Sequence, residues 1–115
     1  RAAGAGLGGI YSPVGVGTKV EEGKEILEEN GIKYLLERPM HADFAFIRAH
    51  KADKYGNLRY YGTAMNSNPS MAMAGKVTIV EVDEIVEPGE IAPEDVHTPG
   101  IFVNYIVKRP EGMEE

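Results

Sequence analysis

The chain has 115 residues, 43% of them hydrophobic and 26% charged, with no cysteine and a formal net charge of -6. This is the composition of one soluble globular domain. The acidic balance argues against nucleic acid as a partner, which needs a basic face to neutralise phosphates. No apolar run reaches the roughly 20 residues that span a bilayer, and no secretory leader pattern is visible. Without cysteine there are no disulfides, thiolate metal ligands or cysteine nucleophiles, in keeping with a reducing cytoplasm.

The chain opens at Arg1 on a glycine-rich stretch, a start that suggests one piece of a longer polypeptide. From Arg1 to Thr18, six glycines alternate with Leu7, Ile10, Tyr11, Val14 and Val16. Those apolar anchors predict an ordered loop, since flexible Gly/Ser linkers lack them. Lys24–Leu27 and Lys33–Leu36 flank Asn30-Gly31, the strongest short-range hairpin signal. The continuous run Phe44-Ala45-Phe46-Ile47 predicts a strand buried on both faces. A turn over Asp53–Asn57 and a short strand over Leu58–Tyr61 follow.

A helix is predicted from Asn66 to Gly75, capped by Ser67 or Asn68, with Pro69 in its first turn and Gly75 closing it. Its body, Met71-Ala72-Met73-Ala74, is apolar all round and so predicts burial between layers. Lys76–Val86 reads as a further strand. Strand, helix, strand suggests a βαβ crossover and hence a parallel sheet covered on both faces. A Pro/Glu-rich connection, Glu87–Gly100, leads to a final strand over Ile101–Val107 and a loose tail from Pro110.

Few motifs carry chemistry. Gly4-Ala5-Gly6-Leu7-Gly8-Gly9 matches GxGxxG, but a dinucleotide site needs a strand before it and a helix opening after it. Ile10–Gly15 does not open a helix. His41, His50 and His97 have no metal-ligand spacing, and Glu94-Asp95-Val96-His97 reads as an exposed acidic turn rather than a metal site. Ser12, Ser67 and Ser70 lie in no nucleophile-elbow context. Glu21-Glu22, Glu28-Glu29 and Glu114-Glu115 read as solvated faces. Asn66-Ser67-Asn68-Pro69 opens the predicted helix, where orphan N–H groups either receive an oxyanion or are merely capped.

The order of segments resembles the alpha subunit of family I CoA-transferases. Gly4-Ala5-Gly6 and Tyr11-Ser12-Pro13-Val14-Gly15-Val16-Gly17-Thr18 are similar to its glycine-rich loop. Lys33–Glu37, Ala42–Ala49, Lys51-Ala52-Asp53 and Gly56-Asn57-Leu58 follow in the family's order. Thr63–Pro69 is similar to its Arg-Asn-x-Asn-Pro segment, with Met65 in place of the arginine. Val80–Gly89 and His97–Val103 complete the series.

The resemblance implies an α/β fold: a largely parallel sheet flanked by helices, with a β-hairpin excursion. Residues 1–115 would be the C-terminal part of one alpha-subunit domain. It implies a hetero-oligomer in acyl-CoA, short-chain fatty acid or ketone body metabolism. The expected partners are the N-terminal half of the alpha subunit, together with a CoA-transferase beta subunit. Coenzyme A is expected as a substrate, with no permanently bound cofactor and no metal. The family's nucleophile is a glutamate on the beta subunit, so no catalytic residue is assigned here. The substrate-binding candidates are Gly6, Tyr11, Gly15, Gly17, Asn66 and Asn68. The competing expectation is a non-catalytic module that docks a partner.

Overall fold

The computed structural model describes residues 1–112; the Glu114-Glu115 cluster and the end of the expected tail lie outside them. The chain divides after Met40 into two compact units.

The first unit is a three-stranded antiparallel sheet in the order β1-β3-β2, with β1 at Ile10–Ser12, β2 at Ile26–Glu29 and β3 at Ile32–Glu37. Asn30 and Gly31 adopt φ of 52° and 78°, and Glu29 pairs directly with Ile32. Two central residues with positive φ are what a tight hairpin requires, because that turn matches the strands' twist. Leu35 on β3 is fully buried. The glycine-rich stretch is ordered: Ala5, Gly6 and Leu7 donate to the carbonyls of Arg1, Ala3 and Ala2, and β1 follows. Ile10 therefore enters a strand, not the helix that a dinucleotide fingerprint needs.

The second unit is a four-stranded sheet in the order β5-β4-β6-β7, from β4 (Ala42–Asp53), β5 (Leu58–Arg59), β6 (Gly75–Val86) and β7 (Tyr105–Lys108). β4, β6 and β7 are mutually parallel neighbours, and β5 is antiparallel to β4. β4 and β6 stay in one register from Ala42↔Gly75 to Asp53↔Val86. Between them lies one helix, α1, at Asn68–Ala74. This is the expected βαβ crossover and largely parallel sheet.

The core sits on one face only. Ile47, Ala49, Val80 and Val82 pack with Leu58, Tyr60 and Ala72, while Val103 and Ile106 close over them. Fully burying each Leu or Val contributes about 1.5–3 kcal/mol. Both connections, through α1 and through the segment after β6, lie against this face. The expectation that Phe44–Ile47 is buried on both sides is therefore corrected. Ala45 and Ile47 are buried, but Phe44 is 59% and Phe46 70% exposed. Strand side chains alternate faces, and the core lies on the Ala45–Ile47 side, leaving Phe44 and Phe46 exposed.

α1 also differs from expectation. It runs from Asn68 to Ala74, shorter than the expected Asn66–Gly75 because Asn66 instead caps the end of a separate 3-10 turn over Gly62–Met65, and Ala72 is its only buried residue. Met71 is 44% exposed. A two-turn helix lying on one sheet face has a solvent side whatever its composition. Ser67, the N-cap, makes no side-chain capping bond, and Asn68 lies inside the helix. Gly75 closes α1 as expected, donating its N–H to the Met71 carbonyl, and in the same extended conformation it starts β6. A Cβ there would lie 2.7 Å from the Ala45 methyl, so glycine permits the close approach of the two strands.

The strand expected over Leu58–Tyr61 stops at Arg59 because Tyr60 donates its N–H to His97 Nδ1 instead of to a strand. The strand expected from Ile101 begins only at Tyr105, after a 3-10 turn over Gly100–Phe102. Asn104 bridges the gap: its Oδ1 accepts the Thr78 N–H and its own N–H reaches the Thr78 carbonyl.

Candidate functional site

In the first unit the glycine loop is held by its own side chains. Thr18 donates its hydroxyl to the Gly15 carbonyl at 2.6 Å and accepts the Val20 N–H, capping a 3-10 turn over Lys19–Glu21. The Gly17 N–H is taken by the Glu21 carboxylate. Glu21 is thus a loop fastener, not merely part of a solvated face, and Gly17's amide already has an acceptor. Gly15 and Gly17 have φ of 86° and 78°, a region in which side-chain-bearing residues are rarely at ease. Gly6, with φ 72°, belongs to the separate Arg1–Leu7 turn. Tyr11 lies on β1 opposite Leu36, half exposed. Gly15 and Gly17 therefore share one closed loop, while Gly6 and Tyr11 occupy neighbouring but different elements.

In the second unit a cleft of about 380 Å³ opens beside β4. β4 supplies Arg48 and His50, β6 supplies Asp83, and the segment leading into α1 supplies Tyr61, Thr63 and Asn68. Arg48 and His50 share a face because they are two residues apart on a strand. Asp83 receives both: His50 Nδ1 lies 3.3 Å from its Oδ2, and Arg48 Nη2 lies 3.4 Å from its Oδ1. Arg109 approaches the same carboxylate at 3.8 Å. The His50 hydrogen bond, reinforced by Arg48, holds the Asp83 carboxyl below the usual carboxylate range, against a smaller opposing effect of burial. The Tyr61 ring lies 5.7 Å from that of His50.

Of the two asparagines, Asn68 lines this cleft and exposed Asn66 does not. Asn68 Oδ1 accepts the Arg48 N–H at 3.2 Å, and its Nδ2 donates to the Ala64 carbonyl at 2.8 Å. The capping role expected for Asn68 is therefore replaced by a tie to β4. Sequence reasoning passed over Arg48, His50 and Asp83. The two-residue spacing of Arg48 and His50 on a strand was a visible signal, but Asp83 joins them only through the β4–β6 register.

His97 accepts from the Tyr60 N–H and stacks on the Tyr60 ring, and Asp95 pairs with Arg59 at 3.8 Å. Among the described residues no cluster of His, Asp and Glu is arranged to hold a metal ion. Among them, too, no helix is long and apolar enough to cross a membrane.

An open, largely parallel sheet with a crossover helix and a small antiparallel sheet preceding it in the chain defines an α/β class in which ligands meet loops beside the strands. Residues 1–109 match the Coenzyme A transferase family, and the chain belongs to it. It is 55% identical over 106 residues to the A-type subunit of the 3-oxoadipate CoA-transferase of Pseudomonas putida, covering 92% of this chain and 46% of that protein. It is 51% identical over 111 residues to the alpha subunit of the acetate CoA-transferase of Escherichia coli K12, covering 96% and 50%. Among solved structures, an acyl-CoA transferase from Escherichia coli O157:H7, in a thioester complex with CoA, superposes with a TM-score of 0.82. That match has 27% identity over 96% of this chain and 25% of the other. The chain spans about half the length of the curated relatives it matches.

Proposed function

We propose that this chain is the C-terminal part of the alpha-subunit domain of a CoA-transferase. The enzyme moves CoA between an acyl-CoA thioester and a short-chain or 3-oxo carboxylic acid. The observation that carries this reading is identity above one half to relatives named as alpha-type subunits, sustained over more than nine-tenths of the chain. Their names support a beta-type partner, and their length supports a companion half of the same subunit. A cytoplasmic location fits a chain that carries no cysteine.

In this mechanism a glutamate on the partner attacks the thioester carbonyl. The CoA thiolate leaves, giving an acyl-glutamyl anhydride, and then attacks the glutamyl carbonyl, which releases the donor acid as a carboxylate and leaves CoA as a glutamyl thioester. The incoming carboxylate runs the same two exchanges in reverse and carries CoA away. Splitting one exchange into two covalent steps lowers each barrier. The pocket must exclude water, which would hydrolyse the intermediate. The substrate-binding candidates of this chain are, in the first unit, Gly15 and Gly17 of the loop, Tyr11 on the adjoining strand and Gly6 in the opening turn, and, separately in the second unit, the Thr63–Asn68 segment with Asn66 exposed on it. No glutamate here acts as nucleophile. CoA is a substrate, and the chemistry needs no metal.

The test is CoA exchange by the assembled enzyme with both subunits present. Borohydride or hydroxylamine trapping should mark a glutamate of the partner and leave Glu21, Glu22, Glu37, Glu81 and Glu84 unmodified. EDTA should not diminish turnover. Absence of exchange in the assembled complex would leave the non-catalytic docking reading standing instead.

A further inference from the structure

The side-chain amide of Asn68 bonds at both ends to backbone, and those two bonds join the two walls of the cleft. Its Oδ1 takes the Arg48 N–H on the edge of β4 beyond the reach of β5, which pairs only with Lys51 and Ala52. Its Nδ2 holds the Ala64 carbonyl within the 3-10 turn over Gly62–Met65. One wall carries Arg48 and His50, and the other carries Tyr61 and Thr63. Ser67, at the N-cap, makes no side-chain capping bond that would fix the segment independently.

We propose that Asn68 is a positioning residue: it sets the placement of the Tyr61–Ser67 segment, and with it Asn66, against β4, and does not itself bind substrate. This rests on the transferase reading for its kinetic consequence, though not for its structural one. An asparagine is suited to the task because a single rigid planar group presents an acceptor and a donor at once. Alanine offers neither. Aspartate keeps the acceptor for Arg48 but turns a carboxylate oxygen toward the Ala64 carbonyl unless it is protonated. In the protonated form its O–H donates to Ala64 and restores the second bond.

The experiment uses Asn68→Ala and Asn68→Asp in the assembled enzyme, with amide hydrogen exchange alongside kinetics. In Asn68→Ala the Arg48 amide and the Gly62–Ser67 amides should exchange faster. Turnover per folded enzyme should fall by about a hundredfold, as small misplacements of a reacting group do, with KM for the acyl-CoA donor nearly unchanged. Asn68→Asp, which guards against a simple folding failure, should recover turnover as pH is lowered, an acid-shifted profile the parent lacks. Unchanged exchange at Arg48, or parental turnover per folded enzyme in Asn68→Ala, overturns the proposal. If the parent itself shows no CoA exchange, the transferase reading fails, and the Arg48 amide still decides the role of Asn68.

Discussion

Replacing Asp53 with alanine removes the centre of a small hydrogen-bonded loop. The Asp53 side chain is 4% exposed, and its carboxylate accepts from the Tyr55 N–H, the Asn57 N–H and the Asn57 side-chain amide, at 2.9, 3.0 and 2.9 Å. Asn57 passes the connection on, its Oδ1 taking the Gly100 N–H at 2.8 Å. Hydrogen bonds to a charged group contribute about 1.5–3 kcal/mol each, but Lys54 and Tyr55 are exposed and water re-solvates part of what alanine leaves, so the net cost is about 3–4 kcal/mol. Asp53→Asn, which keeps shape but sets an NH₂ group among donors, should lose roughly half of that. Urea unfolding at constant m reads the difference directly. The double variant with Asn57→Ala should cost much less than the two single effects added, because both act through one network. A loss below about 0.5 kcal/mol for Asp53→Ala, the size of an ordinary surface change, or full additivity with Asn57→Ala, would refute the reasoning.

Other perturbations separate loop, pH and surface effects. Gly17→Asn tolerates positive φ and should fold nearly as well as the parent, whereas Gly17→Ala should cost about 1–2 kcal/mol in thermal unfolding; lowered turnover in the asparagine variant would mark a contact role for the loop. Asp83 is held below the usual carboxylate range, so its stabilisation is present above ordinary carboxylate pKa values and is lost as pH falls through its lowered one. Asp83→Asn should therefore match the parent in strong acid and be the less stable near neutrality, by a small margin because the pair is well exposed. Tyr60 is raised by burial despite its 2.8 Å bond to the Thr98 hydroxyl, so its contribution is lost as pH rises past the ordinary tyrosine range. Tyr60→Phe should cost about 1 kcal/mol at neutrality yet blunt alkaline unfolding. The 115 residues alone should be inactive and self-associate in sedimentation experiments, and Phe46→Ser should shift them toward monomer.

The sequence revealed most where local chemistry decides. Asn30-Gly31 leaves little choice but a tight hairpin, and Lys76–Val86 with an apolar segment before it indicated the crossover. It revealed least where the answer depends on what lies across the sheet. Phe44 and Ala45 look equally apolar in a row, yet Ala45 is buried and Phe44 exposed. His97 gave no sign that it would serve a backbone amide on Tyr60, distant in the chain. Asn68 looked like a cap because its type and place suit one, and only the β4 edge shows where its amide is drawn. The candidate glycines were legible as an ordered loop, but their fastening by Thr18 and Glu21 was not.

The unbroken pairing of β4 with β6 also governs the order in which the chain assembles. The β2–β3 hairpin needs only its two-residue turn and belongs to the microsecond class of events. The first β4–β6 pair, Ala42 with Gly75, must wait until everything from β5 through α1 has been drawn into a closed crossover. Loop closure of that kind is an entropic toll levied before any ladder bond forms, and it slows folding. Refolding should accordingly show hairpin signals well ahead of the parallel sheet. A change that stiffens the Tyr61–Asn68 crossover should accelerate the slower phase while leaving the earlier one alone.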